Sequence, residues 1–230
     1  MDRDRVIATL AKTDLFGGLP PDVLNALAAA SVTRVYRRDQ FLWYQGDPGD
    51  RLVVVTRGLV KVIVHANQGD QLVLATLGPP EILGELALID GMPRSASVMA
   101  AEETTVLMIH RAILLELMRG SSALLDAMLR SIGALLRRLT EQAADLVFLD
   151  LGGRVAKLLL RLFDEHGRWV DGEMTLDLNL TQTDLAQMVG GTRPAVNRIL
   201  QTLVSRGLLS IDGHVIVIHD PVALRRRAGL

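Results

Sequence analysis

Residues 84–97 read Gly84-Glu85-Leu86-Ala87-Leu88-Ile89-Asp90-Gly91-Met92-Pro93-Arg94-Ser95-Ala96-Ser97. A carboxylate, a turn, an arginine and two hydroxyls fall within this one short span. Arg94 offers a planar fork suited to a phosphate. Ser95 adds a hydroxyl, and the amides around Ser95 and Ala96 suit a small anion nest. A carboxylate repels a phosphate, so Glu85 is better matched to a neutral hydroxyl such as a ribose 2′-OH. Gly84 admits close backbone approach. The stretch therefore suits a small anion that also carries a hydroxyl. Taken singly, Glu85 and Arg94 equally suit a surface ion pair that closes a hairpin.

Upstream, the chain looks like a sheet that frames this stretch. Short amphipathic helices are expected over residues 3–12 and from Val23 to Leu27. From about 32 to 109 the signal is strand. Leu52-Val53-Val54-Val55, Val60-Lys61-Val62-Ile63-Val64 and Thr104-Thr105-Val106-Leu107-Met108-Ile109 are β-branched runs. Turn chemistry separates them at Gly46–Asp50, Arg57-Gly58, Asn67–Asp70 and Gly78-Pro79-Pro80. Short strands so closely spaced predict a small antiparallel barrel or sandwich.

Downstream, the period changes at about residue 111. Leu125, Leu129, Ile132, Leu136, Leu139, Ala143 and Leu146 alternate steps of four and three, an a/d seam. At about 1.5 Å per residue the seam runs roughly 33 Å. It suits a two-stranded coiled coil between subunits, or a core helix packed on the barrel. Leu149–Gly153 carries two glycines and suggests a hinge. A further helix is expected over Arg154–His166, then a short strand near Met174–Leu178. Thr181-Gln182-Thr183-Asp184 is a capping box. Thr192 is placed to N-cap a helix from Arg193 to about Arg206, with Pro194 in its first turn. Asp212-Gly213 between apolar runs predicts a hairpin. Helix-turn-helix plus hairpin makes a winged helix, a DNA-binding arrangement. Arg225-Arg226-Arg227 ends the chain in a basic cluster.

Composition sets the frame. The 230 residues are 49% hydrophobic and 22% charged, an ordinary globular balance. Net charge is -1. Residues 151–230 hold 10 Lys/Arg against 8 Asp/Glu, and residues 1–150 hold 15 against 18. The C-terminal part is thus mildly basic. With no cysteine, disulfides, thiolate zinc sites and Cys-ligated iron–sulfur clusters are excluded. No signal-type or membrane-spanning apolar run is visible, and a cytoplasmic location is expected. No nucleophile–base cluster, metal-spaced His pair or P-loop is evident, so no catalytic or metal-binding residues are assigned and an enzyme is not expected. The five histidines are scattered, and none suggests a haem ligand.

The order G-E-L-A-L-x-D-G-x-P-R-S-A-S resembles the phosphate-binding cassette of cyclic-nucleotide-binding domains. Leu146–Asp150 resembles the hinge, and Gly191–Arg198 the recognition-helix start, of the CRP/FNR family of bacterial transcription regulators. The resemblance covers essentially the whole chain. It implies an α+β fold with an N-terminal antiparallel, jelly-roll-like β-roll over residues 1–110. A long dimerisation helix over 111–149 and a winged-helix DNA-binding domain over 150–230 would follow. It further implies a homodimeric, sequence-specific DNA-binding regulator controlled by a cyclic nucleotide, with cAMP the expected effector. RNA polymerase is an implied further partner. The alternative is a regulator of the same fold active without ligand, or one sensing another small molecule.

Residue by residue, Glu85 would take the ribose hydroxyl, with Gly84 and Leu86 giving backbone contacts. Arg94, Ser95 and the Ala96 amide would hold the cyclic phosphate. The two adenine-contacting positions fall on Leu139 and Thr140. Leucine cannot hydrogen-bond a base, so weakened base selectivity is expected. Arg193 and Arg198 match guanine-reading positions, within a recognition segment that includes Asn197. Thr181 and Thr192 match phosphate contacts. Pro194 stands where the family pattern has a cytosine-reading glutamate. The operator is therefore expected to be two-fold, with GTG-like half-sites and looser central readout.

Overall fold

The computed structural model describes residues 2–65, 71–178 and 180–230. The turn expected at Asn67–Asp70 lies outside the described residues. The chain divides into two compact units, residues 1–139 and 140–230.

The first unit opens with helices α1 (Arg3–Leu10) and α2 (Pro21–Ala30). Strands β1 (Ser31–Tyr36), β2 (Phe41–Trp43), β3 (Arg51–Arg57), β4 (Val60–His65), β5 (Gln71–Leu77) and β6 (Ile82–Leu83) follow. Helix α3 (Glu85–Asp90) then precedes β7 (Ser97–Ala100) and β8 (Thr104–His110). These strands form two antiparallel four-stranded sheets, ordered β1-β8-β3-β6 and β2-β7-β4-β5. The expected antiparallel roll is present. Its interior is filled by Tyr36, Val53, Val55, Val60, Leu77, Val98, Val106 and Met108.

The unbroken run Leu52–Val55 has a direct explanation, because β3 is covered on both faces. Val53 and Val55 face the roll interior, while Leu52 and Val54 pack under the helices with Leu10, Phe16, Leu27 and Leu107. Alternation is lost in a strand buried on both sides.

After β8 come α4 (Arg111–Gly120) and the 27-residue α5 (Ser122–Phe148). The span expected as one long helix over 111–149 is divided at Ser121, and the core-helix reading holds for one face of α5. Leu124, Ala127 and Met128 are buried against the first unit's core. The other face carries the seam, of which Leu125, Leu129, Leu136, Leu139, Ala143 and Leu146 are exposed in the single chain and Ile132 is half-buried. Leu129 is 60% and Leu136 64% exposed. A row of leucines left in water is costly at about 25 cal/mol per Å², and a second helix would cover it.

The second unit contains α6 (Leu151–His166), β9 (Arg168–Val170), β10 (Glu173–Asp177), α7 (Gln182–Met188), α8 (Arg193–Ser205), β11 (Leu209–Asp212), β12 (Val215–Ile218) and α9 (Pro221–Arg227). Its sheet runs β11-β12-β10-β9. Val155, Leu159, Leu162, Leu185, Val196, Leu200, Leu209, Ile218 and Leu224 fill its core.

Three sequence expectations are corrected here. The helix expected from Arg154 begins at Leu151, capped by Asp150, whose carboxylate accepts from the Gly153 amide at 2.7 Å. Gly152 and Gly153 therefore lie inside a helix turn and are not a flexible hinge; the break is confined to Leu149–Asp150. The wing turn shifts by one residue, because Asp212 pairs with Val215 and leaves Gly213-His214 as the loop. The unforeseen hairpin joins β9 and β10 through Asp171-Gly172, both at positive φ, the geometry that an Asp-Gly turn favours.

Two substitutions separate the two faces of α5. Met128→Ala, on the buried face, is expected to cost about 2–5 kcal/mol of stability, read by denaturant unfolding. Leu136→Glu, on the exposed face, is expected to yield monomers by light scattering with the far-UV spectrum retained. A Leu136→Glu protein that stays dimeric would remove the seam from the subunit contact.

Candidate functional site

The cassette is assembled where β6 ends and α3 begins. Gly84 caps α3 with a left-handed φ of 88°. A Cβ at Gly84 would collide with the Arg94 guanidinium, so only glycine fits. Glu85 is the first residue of α3 and is half-buried. Leu86 and Ser95 are exposed, and Ala96 is buried.

Arg94 is only 4% exposed. Its Nη2 donates to the Arg51 carbonyl at 2.6 Å and its Nη1 to the Gly84 carbonyl at 3.3 Å. The guanidinium carbon lies 4.1 Å from the Trp43 ring centroid, a cation–π arrangement. Trp43 Nε1 in turn donates to the Ala96 carbonyl at 2.9 Å. The Arg94 Nε is buried without a partner. Burial lowers the Arg94 pKa, while nearby Asp50 acts in the opposite direction. Among the described residues no ion pair joins Glu85 to Arg94, so the hairpin-closing surface pair does not form.

Trp43, Asp50 and Arg51 were not singled out from sequence. Asp50 grips Arg51 through two bonds, Nε to Oδ1 at 2.8 Å and Nη2 to Oδ2 at 2.6 Å. That pairing holds the Asp50 carboxyl below the usual carboxylate range. The signals were a tryptophan in a chain with 3% aromatics and an acid–base dipeptide beside a glycine turn. Neither is specific alone.

Glu85 also faces a cavity of about 340 Å³, lined by Lys12, Asp14, Glu81, Ser131, Leu135 and Arg138 among others. Burial pushes the Glu85 carboxyl above its ordinary value, partly offset by its own backbone amide and then by Arg138 and Arg94. Arg138, on α5, is thus the long-helix residue brought to the cassette carboxylate. Leu139 and Thr140 are exposed on α5.

The second site is the helix-turn-helix. The capping box is present: Thr181 Oγ1 accepts from the Asp184 amide at 3.2 Å, and Asp184 Oδ2 accepts from the Thr181 amide at 2.7 Å. The Thr181 hydroxyl also donates to Asp184 at 2.8 Å, so its proton is already committed. Thr192 occupies the N-cap position of α8 but makes no side-chain capping bond, contrary to expectation. Its hydroxyl is left available for another acceptor. Thr192, Arg193, Pro194 and Arg198 are exposed. Arg193 and Arg198 form no ion pair among the described residues. Asn197 is half-buried, with its Oδ1 unpartnered.

One histidine is less ordinary than expected. The His219 ring nitrogens lie 2.9 Å from Glu173 Oε1 and 3.0 Å from Ser210 Oγ. The contacts tie β10 and β11 together at the end of β12.

Residues 33–121 match the cyclic nucleotide-binding domain family, and residues 153–227 match the Crp-like helix-turn-helix domain. A CRP-like cAMP-activated global transcriptional regulator of Mycobacterium tuberculosis is 33% identical over 219 residues, covering 95% of this chain and 98% of the relative. The chain belongs to the CRP/FNR family of transcription regulators. Among solved structures, FixK2 from Bradyrhizobium japonicum has the same fold, with a TM-score of 0.78 at 21% identity over 85% of this chain and 96% of its own. The c-di-GMP responsive regulator CLP of Xanthomonas campestris has a TM-score of 0.75 at 26% identity over 86% of this chain and 99% of its own. DNA binding, dimer formation and cyclic nucleotide binding are properties of the CRP/FNR family. Among the described residues no helix is long and apolar enough to cross a membrane.

A cyclic nucleotide fits the cassette of this CRP/FNR chain. The unpartnered Arg94 Nε and the exposed Ser95 suit a phosphate, and Glu85 suits a hydroxyl. An ionised carboxylate accepts a hydroxyl proton more strongly than a neutral acid does. Affinity for a cyclic nucleotide should therefore fall as Glu85 becomes protonated. Because its pKa is raised, that fall should begin at a higher pH than an ordinary carboxylate near 4.3 would give. Calorimetry across roughly pH 4 to 8 reads this directly. Glu85→Gln should flatten the profile, and Arg138→Gln should move the fall to still higher pH.

Proposed function

We propose that this regulator binds a two-fold DNA operator as a homodimer under control of a cyclic nucleotide, with cAMP the effector. The carrying observation is Arg94, a buried guanidinium with a free Nε, held beside Glu85 across Gly84. That set matches a ribose hydroxyl and a cyclic phosphate together. On the nucleic-acid side, Arg193 and Arg198 read guanines in the major groove, and Thr192 contacts a phosphate. The Thr181 hydroxyl proton is held by Asp184, so it contacts a phosphate only if that bond is given up. The seam from Leu125 to Leu146 joins the subunits, and the protein works in the cytoplasm.

Ligand affinity for one of two arrangements about the Leu149–Asp150 break shifts their populations, and DNA affinity follows. Leu139 reduces hydrogen bonding to the base and adds apolar surface to the seam. That residue favours a second reading, DNA binding with little dependence on ligand.

The test is affinity for an operator selected from random DNA, with no nucleotide and with cAMP, cGMP or c-di-GMP. Tightening by cAMP is expected, and calorimetric Kd values for cAMP and cGMP should differ by less than about tenfold, roughly 1.4 kcal/mol. Equal DNA affinity in all four conditions would support the ligand-independent reading and overturn cyclic-nucleotide control. Tightening by c-di-GMP alone would reassign the effector.

A further inference from the structure

We infer that the C-terminal helix α9 is a second DNA-contacting element, with Arg225 and Arg226 binding backbone phosphates beside the half-site read by α8. The inference rests on the DNA-binding reading and extends the surface beyond the helix-turn-helix.

The placement of α9 carries it. Asp220 caps the helix, accepting from the Ala223 amide at 2.8 Å. Leu224 and Ala228 are buried in the second unit's core. Arg227 reaches the start of α6, where its Nη2 lies 2.7 Å from Asp150 Oδ2. A Cβ at Gly152 would collide with that guanidinium, and one at Gly153 would lie 3.2 Å from the Arg227 carbonyl. The two glycines thus clear the ground on which the end of α9 sits.

The same first turn of α6 touches the segment leading into the recognition helix. Arg154 Nε donates to the Val189 carbonyl at 2.9 Å. A Cβ on Gly191 would lie 2.8 Å from Leu151 Cδ1, and Gly191 directly precedes Thr192. One helical turn, Leu151–Arg154, therefore separates the end of α9 from the start of α8.

Charge completes the case. Asp150, which Arg227 reaches from the end of α9, is held by that guanidinium, which keeps its carboxyl below the usual range. Arg225 and Arg226 are exposed and form no ion pair or side-chain hydrogen bond among the described residues. Two exposed guanidinium groups on a helix that one turn of α6 separates from the start of the DNA-reading helix suit a phosphate-binding surface, which positions without specifying sequence.

The test uses the full-length protein and a selected operator as a core duplex or with generic flanking DNA on both sides. For the wild type, the flanked duplex should bind more tightly and show a steeper fall of affinity with salt. Removing one phosphate-binding arginine should lower the slope of log K against log salt by about 0.9. Arg225→Ala/Arg226→Ala should lose about tenfold in affinity for the flanked duplex at low salt, with base preferences unchanged. Arg225→Lys/Arg226→Lys should retain most of the slope, because the charge is kept. The thermal transitions of both variants should match the wild type, since both side chains are exposed. An unchanged salt slope in the alanine variant, with the wild type still binding its operator, overturns the inference and leaves these arginines to another partner. A wild type that binds no duplex overturns the DNA-binding reading itself.

Discussion

Burying a guanidinium is expensive unless its hydrogen-bonding groups are satisfied. Arg94 meets that constraint by committing its two terminal nitrogens to backbone. The carbonyls of Arg51 and Gly84 take them, and Trp43 covers the face. Each partner depends on something else in the roll. Arg51 is the first residue of β3 and lies beyond the part of that strand paired with β6, which leaves its carbonyl to Arg94. Gly84 must be glycine because the guanidinium fills the space of a Cβ. Trp43 is held by the Ala96 carbonyl, two residues beyond Arg94. The roll thus holds Arg94 through its own groups, and leaves Nε without a protein partner. Such preorganisation lowers the ordering cost of binding.

Much of this was legible in the sequence because it is local. The cassette residues lie within fourteen positions; the a/d seam follows from periodicity, the capping box from its T-x-x-D spacing, and the antiparallel roll from β-branched runs between turns. What escaped depends on contacts distant along the chain. Trp43 and Arg51 reach Arg94 only through strand pairing across some fifty residues. Arg138 meets Glu85 only because α5 packs on the helix-covered face of β3. The glycines at 152 and 153 suggested a hinge because glycine is flexible in isolation. Their actual role is to make room for Arg227, which lies over seventy residues away. The Asp-Gly signal was assigned to the wing, although the stronger case, Asp171-Gly172, lies in the hairpin before the helix-turn-helix.

The junction after the long helix shows the same dependence on distant partners. Asp145 near the end of α5 pairs with Lys157 at 2.7 Å. Arg154 donates to the carbonyls of Leu149 and Val189 at 3.0 and 2.9 Å. Asp150 caps α6 and holds Arg227. The break at Leu149–Asp150 is therefore bound from three sides, and a change there would be felt at the Gly190–Thr192 turn. A junction so tied is suited to two discrete arrangements rather than free swivelling.

The buried Arg94, on this account, awaits a phosphate. The most direct test is the ¹⁵N–¹H signal of Arg94 Nε, assigned by comparison with Arg94→Lys and followed during titration with cAMP and, separately, with adenosine. The account predicts a downfield proton shift and slowed solvent exchange with cAMP, and neither with adenosine. An Nε signal unmoved at saturating cAMP would contradict it.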